Sequence, residues 1–207
     1  MKKQYLLSMI VLFTACSVYG QNGIFELKGG ALFPQGTETG IIIGLGYGRM
    51  LDENIGWTFE ADYFWRTYTK ETTVKIDPGM ATETTIATEI ENSTKMLPVM
   101  AQLIYLTKIA PNLDLRLSAG LGYAFLRNTE ANYLIDVEKS NFYSGFAWQI
   151  GGGISIPISR TADFYGELNY FSSNPSKDAG ETASGLPQYT EIDMSGLMVR
   201  VGVRIYN

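Results

Sequence analysis

From residue 24 onward, apolar and polar side chains alternate in short runs, and the charges keep to one face of each run. Residues 57–66 show the pattern well. Trp57, Phe59, Ala61, Tyr63 and Trp65 point one way, and Thr58, Glu60, Asp62, Phe64 and Arg66 point the other. Successive side chains of a strand face opposite sides, so this segment has one greasy face and one largely ionic face. Seven further segments repeat it, at residues 24–33, 40–50, 96–106, 115–127, 143–156, 162–171 and 194–207. In the last, Leu197, Val199, Val201, Val203 and Ile205 oppose Arg200, Gly202, Arg204 and Tyr206.

The greasy faces are rich in Trp and Tyr, and the charged faces are too ionic for the core of a soluble protein. A barrel with its apolar side turned to lipid accounts for both. The connections alternate in length: residues 51–56, 107–114 and 157–161 are short, whereas 67–95, 128–142 and 172–193 are long and polar. The expected fold is therefore all-β: an eight-stranded antiparallel up-and-down transmembrane β-barrel with short periplasmic turns and long extracellular loops. Six of the seven prolines fall at strand ends or in connections, as an uninterrupted ladder requires; Pro98 does not, and a bulge is expected there. Trp57 and Trp65 are eight positions apart, about 27 Å along a strand and roughly 20 Å of height after a ~40° tilt. That matches the apolar band between two aromatic girdles. A one-residue slip would turn Glu60, Asp62 and Arg66 to lipid, and one midplane Arg costs about 2–4 kcal/mol.

Beyond the N-terminus no apolar run reaches the ~20 residues of a transmembrane helix. Residues 1–20 read as a secretory signal: Lys2 and Lys3, an apolar stretch over 5–15, then small residues before a cut between Gly20 and Gln21. The barrel domain is then 21–207. Its formal charge is −7, from −5 less the two lysines, which argues against nucleic acid as a partner. The single cysteine, Cys16, lies within the signal, either removed with it or lipidated; with cleavage at Gly20 the mature chain has no thiol.

With the strands placed, Gly44-Leu45-Gly46-Tyr47-Gly48 before the turn at Asp52-Glu53-Asn54, and Ala119-Gly120-Leu121-Gly122-Tyr123, resemble the small eight-stranded outer-membrane barrels of the OmpX/Ail and OmpA transmembrane-domain type. The ending Val201-Gly202-Val203-Arg204-Ile205-Tyr206 is similar to the terminal strand signal of that family, except that Asn207 stands where Phe is usual. The resemblance implies a bacterial outer-membrane location, with membrane lipid and the outer-membrane assembly machinery as partners.

The glycine runs are not followed by helical pattern, so they are not phosphate loops; inward glycines make room for long neighbours in a narrow barrel. Glu26, Lys28, Glu60, Asp62, Arg66, Arg116, Glu167, Arg200 and Arg204 all fall on inward positions. A mixed-sign set of this kind reads as a structural salt-bridge network, because unpaired charges there are costly. Eight strands leave a lumen that side chains fill, so no open pore is expected. The chain has no histidine, which removes a Ser–His mechanism and a His-ligated metal. No catalytic residue, cofactor or metal ligand is assigned, and acidic loop residues match no Ca²⁺ loop. That leaves the loops. Thr85, Ile86, Thr88, Glu89, Ile90 and Glu91 have β-rich composition, which suggests that the third and fourth strands continue as a protruding hairpin able to take a host or surface protein by strand addition. The expected function is non-enzymatic: a packed barrel displaying loops for adhesion, surface interaction or envelope integrity. The alternatives are a porin-like or solute-binding transporter and a soluble secreted barrel of lipocalin type.

Overall fold

A computed structural model of the chain describes residues 23–76, 83–132, 137–181 and 187–207. The expected signal segment and the expected cut between Gly20 and Gln21 lie outside these residues. Among the described residues there are ten strands: β1 Gly23–Pro34, β2 Gly40–Met50, β3 Ile55–Ile76, β4 Glu83–Ala110, β5 Leu113–Asn132, β6 Val137–Ser159, β7 Ala162–Ser173, β8 Ser176–Glu181, β9 Pro187–Glu191 and β10 Gly196–Tyr206. Eight of them close a ring in the order β1, β2, β3, β4, β5, β6, β7, β10, with every pairing antiparallel. Closure comes from the first and last strands, which pair from Ile24↔Tyr206 to Pro34↔Gly196. The remaining two, β8 and β9, form a small hairpin that joins the ring through Ser144↔Ser176.

Each ring strand obeys the alternation. In β2, Ile41, Ile43, Leu45 and Tyr47 face out while Gly44, Gly46 and Gly48 face in. The outward wall also carries Phe59, Leu103, Leu121, Phe146, Ile150 and Leu168, none of them covered by protein; Leu103 is 61% exposed. The buried charges, among them Glu26, Lys28, Glu60, Arg116 and Arg200, are inside. This inversion rules out the lipocalin arrangement, in which the apolar face would be the interior. Aromatic pairs stud the outer wall: Tyr63 stacks on Trp65 at 5.7 Å, Trp57 meets Phe59 edge-on at 5.4 Å, and Trp148 tilts against Tyr170 at 5.7 Å.

The glycines on the inward face explain how the wall can be so close to its contents. A methyl group on Gly44 would strike the Asp62 carboxylate, and one on Gly48 would strike the carbonyl oxygen of Trp57.

Three expectations need correction. The segment 128–142 is mostly strand rather than loop, paired from Arg127↔Phe142 to Asn132↔Val137, whereas β3 (22 residues) and β4 (28 residues) continue as the expected hairpin. No bulge occurs at Pro98: Ala61↔Val99 and Phe64↔Met96 hold one register on either side of it, and Pro98 still faces Ala124 of β5. The ladder to β3 is interrupted where the proline lacks an N–H, without a shift. The register shifts lie at Lys70/Glu71, Lys108/Ala110 and Pro157/Ser159 in the ring, and at Asp178/Gly180 in the small hairpin. Finally, the 107–114 turn shrinks to Pro111 and Asn112.

The short turns are locally encoded. Asp52 Oδ1 accepts the backbone N–H of Asn54 at 2.7 Å and of Ile55 at 2.6 Å, an Asx turn, and Asn54 Nδ2 donates to the Leu106 carbonyl at 2.7 Å. At the other mouth the link from β9 to β10 folds inward. There the Gln35 N–H donates to the Ser195 carbonyl at 2.8 Å, the Gly36 N–H to Asp193 at 3.0 Å, and the Met194 N–H to Ser173 at 3.0 Å.

Candidate functional site

The lumen divides into two materials. Toward the short-turn end it is ionic. Glu26 on β1 accepts from Arg116 Nη1 of β5 at 2.9 Å and from Arg204 Nε of β10 at 2.8 Å. Lys28 donates to Glu60 of β3 and lies 3.8 Å from Glu167 of β7. Glu167 is held by Arg116 Nε at 3.1 Å and Arg200 Nη2 at 2.6 Å. Arg200 Nη1 also reaches Glu60 and, at 2.9 Å, Asp62.

Four cations (Lys28, Arg116, Arg200, Arg204) thus meet four carboxylates (Glu26, Glu60, Asp62, Glu167), and the core of the network is neutral. All eight are buried, with Arg116 and Arg204 at 0% exposure. Neutrality offsets a desolvation cost that would otherwise be several kcal/mol per ion, on the order given by buried pairs in general.

Arg66, expected in this set, is not part of it. It lies at the outer rim, where it pairs with Glu38 at 2.5 Å, donates to Thr37 Oγ1 at 2.6 Å and approaches the ring of Tyr68. Its inward parity is as read, but it stands higher along the strand than the ionic layer. Four residues that alternation could have placed complete the network. Gln102 donates to Glu60; Tyr165 lies under the Arg116 and Arg204 guanidinia, at 4.7 and 5.3 Å; and Tyr206 donates to Asp163 at 2.5 Å. Asp163 and Tyr165 share a face with Glu167, and that period of two was the available signal.

Toward the long-hairpin end the lumen is apolar. Leu32, Ile42, Phe64, Met96, Met100, Leu126, Phe171, Met194 and Met198 form one buried cluster with Ala124, Ala147 and Tyr143, and Ile192 packs against it. Met194 comes from the inward-folded link, so the mouth is stoppered by the chain itself. Ionic layer and apolar plug together block the lumen, while a cavity of about 900 Å³ lined by Met50, Asn54, Leu106, Asp114 and Tyr206 opens at the short-turn mouth. Every carboxylate of the layer is engaged by a cation, an arrangement suited to cross-bracing the walls rather than to proton transfer.

The proposed partner-binding residues belong to the arm of β4 above the barrel. Its backbone pairs with β3 through Thr69↔Glu91, Lys70↔Ile90, Glu71↔Thr88, Thr73↔Ile86 and Val74↔Thr85, and Glu89 is the extra residue of the bulge. Of their side chains only that of Glu91 lies within the described residues, and it is partly buried. Among the described residues, β3 pairs from Arg66 to Ile76 with β4 alone, because its partnership with β2 ends at Trp65.

No protein-family model matches the chain, and no curated protein matches it. Solved structures do. A major outer membrane protein from Thermus thermophilus superposes with a TM-score of 0.53 at 12% identity, over 90% of this chain and 100% of that one. Neisserial surface protein A gives 0.53 at 11% identity, over 89% and 96%. The attachment invasion locus protein of Yersinia pestis, solved with the heparin analogue sucrose octasulfate, gives 0.50 at 11% identity, over 90% and 99%. The likeness at these identities is one of fold.

Proposed function

The chain has the fold of the small bacterial outer-membrane β-barrels, and from that fold we propose a non-enzymatic, sealed barrel that presents its raised β3–β4 hairpin to a partner at the cell surface. One observation carries this reading: above Trp65, and beyond the Arg66 contacts to Thr37 and Glu38, β3 has no paired strand on the β2 side among the described residues, and that edge runs to Ile76. An open edge offers unpaired N–H and C=O groups, to which an extended partner segment adds as a further strand. Native barrels abolish edges where they can. An edge kept open above the membrane, on a barrel whose lumen is blocked, favours a function outside it.

The packed lumen weighs against the transport alternative, since no solute passes an ionic layer and an apolar plug in series without unfolding one of them. The test is to replace residues 69–91 with an Asn-Gly turn between Tyr68 and Asn92, which are direct partners. The shortened protein should keep its heat-dependent gel mobility and lose binding to host cells or to surface proteins. Unchanged binding would sink the reading.

A further inference from the structure

One row on the outer wall breaks a rule that the rest of the molecule keeps. Lys95 of β4 stands directly opposite Arg127 of β5, both outside the lumen, and on either side of them stand Trp65 of β3 and Phe142 of β6. Like charges placed directly opposite one another destabilise a sheet. Inside the barrel every cation of the network has a carboxylate; here, among the described residues, neither cation is in an ion pair, and the row, which continues to Ile41 of β2, contains no acid. Arg127 Nε donates to Ser140 Oγ at 2.9 Å, which lies 3.2 Å from Thr129 Oγ1. The next row up is Thr67, Ser93, Thr129 and Ser140, four hydroxyls in register.

The level of this row matters. Two residues below Lys95 and Arg127 on the same faces are Leu97 and Phe125, both exposed to the surroundings of the apolar wall. Trp65 stacks on Tyr63 and Phe142 on Phe125, so the two cations are framed by the upper aromatic girdle. Aromatic girdles lie at the head-group level of a bilayer. On a barrel read as spanning the outer membrane, which this inference presupposes, the row meets the head groups of the leaflet on the long-hairpin side.

The geometry points to a binding site for a phosphorylated lipid head group on the outer wall, formed by Lys95 and Arg127 with Ser140, Thr129 and Ser93 above them. An anionic phosphate between the two cations removes their mutual repulsion. The planar guanidinium suits phosphate oxygens, the ammonium adds a second charge, and the hydroxyls donate from above. The acyl chains then run down the apolar wall past Leu97 and Phe125. A soluble anion would gain the charges but not this wall.

The experiment uses the folded full barrel in phosphatidylcholine nanodiscs with a minor fraction of phosphatidic acid. After detergent extraction, the phosphatidic acid retained per protein is counted by mass spectrometry. Retention over phosphatidylcholine should fall about 30-fold in Lys95→Gln/Arg127→Gln, roughly fivefold for each cation. The control Lys108→Gln/Arg160→Gln, at the short-turn end, should retain as much as wild type. Equal retention by the Lys95/Arg127 variant overturns the site, and so does displacement of the retained lipid by millimolar inorganic phosphate, which would mark a plain anion site. Heat-dependent gel mobility of each sample separates the two readings. A wild-type chain without the shift overturns the membrane reading and this one together; a normal shift with equal retention overturns only this one. Should the double variant lose the shift, the single variants carry the test.

Discussion

Arg116 and Glu26 belong to β5 and β1, four strands apart on a ring of eight and therefore on opposite walls, yet their side chains meet at 2.9 Å. The lumen is bridged at its full width by one ion pair. Glu26 holds Arg204 as well and accepts from the Tyr165 hydroxyl at 3.4 Å, so four strands converge on one carboxylate.

That convergence makes Glu26 the most sensitive position of the ionic layer. Glu26→Gln leaves two buried guanidinia short of a charge, and breaking a buried pair from one side costs about 3–5 kcal/mol. Urea unfolding of the barrel in lipid vesicles should show a loss of that order. By contrast, Glu38→Ala breaks an ion pair whose carboxylate is 66% exposed, and the change should stay below about 1 kcal/mol.

The apolar plug is a core in the ordinary sense, despite lying inside a membrane barrel. Phe64→Ala should cost about 3–5 kcal/mol through lost contacts and a cavity. Planar-bilayer recordings of this variant and of wild type should both show no steady conductance, because the ionic layer below remains intact. Stepwise current from the wild type would contradict the sealed lumen.

Depth along the outer wall sets the effect of a charge. Val99 faces outward in the middle of β4, between Lys95 and Tyr105 at the two rims. Val99→Arg should destabilise by about 2–4 kcal/mol, whereas Thr67→Arg, above the girdle, should cost roughly 0–1 kcal/mol. Equal costs at the two positions would mean that the wall does not face a bilayer.

Two glycines report on wall packing. At Gly48 a Cβ would collide with the Trp57 carbonyl, while at Gly166 nothing lies within 4 Å. Gly48→Ala should lose about 1–3 kcal/mol and Gly166→Ala almost nothing, read by the same urea titration.

The strand faces were legible because inversion doubles the signal. Where Glu60 and Asp62 alternate with Phe59, Ala61 and Tyr63, only one register keeps the carboxylates out of lipid. Above the membrane that constraint is absent. Thr67, Thr69, Ser93 and Thr129 are tolerated on either face, so only the β-rich composition of residues 85–91 marked the hairpin of β3 and β4, and nothing local marked the strands within 128–142. The two-part lumen was hidden for a related reason. Leu32, Ile42, Phe64 and Met198 come from four different strands, and each looked like an isolated apolar residue on a polar face. The stagger of the ring brings them to one height. Arg66 was misplaced on the same account: parity gives the side of the wall, and only register gives the level.

Because β1 closes on β10, the strand made first finds one of its two partners only when the last has been made. Every shorter length of this chain is an open sheet with two bare edges, and a bilayer has no water to satisfy them. Assembly strand by strand within the lipid is therefore closed to it. The pairing from Ile24↔Tyr206 to Pro34↔Gly196 is also among the most distant in sequence that the chain contains, and such contacts are slow to form. Closing the ring and crossing the bilayer are therefore one event, complete only when β10 reaches β1.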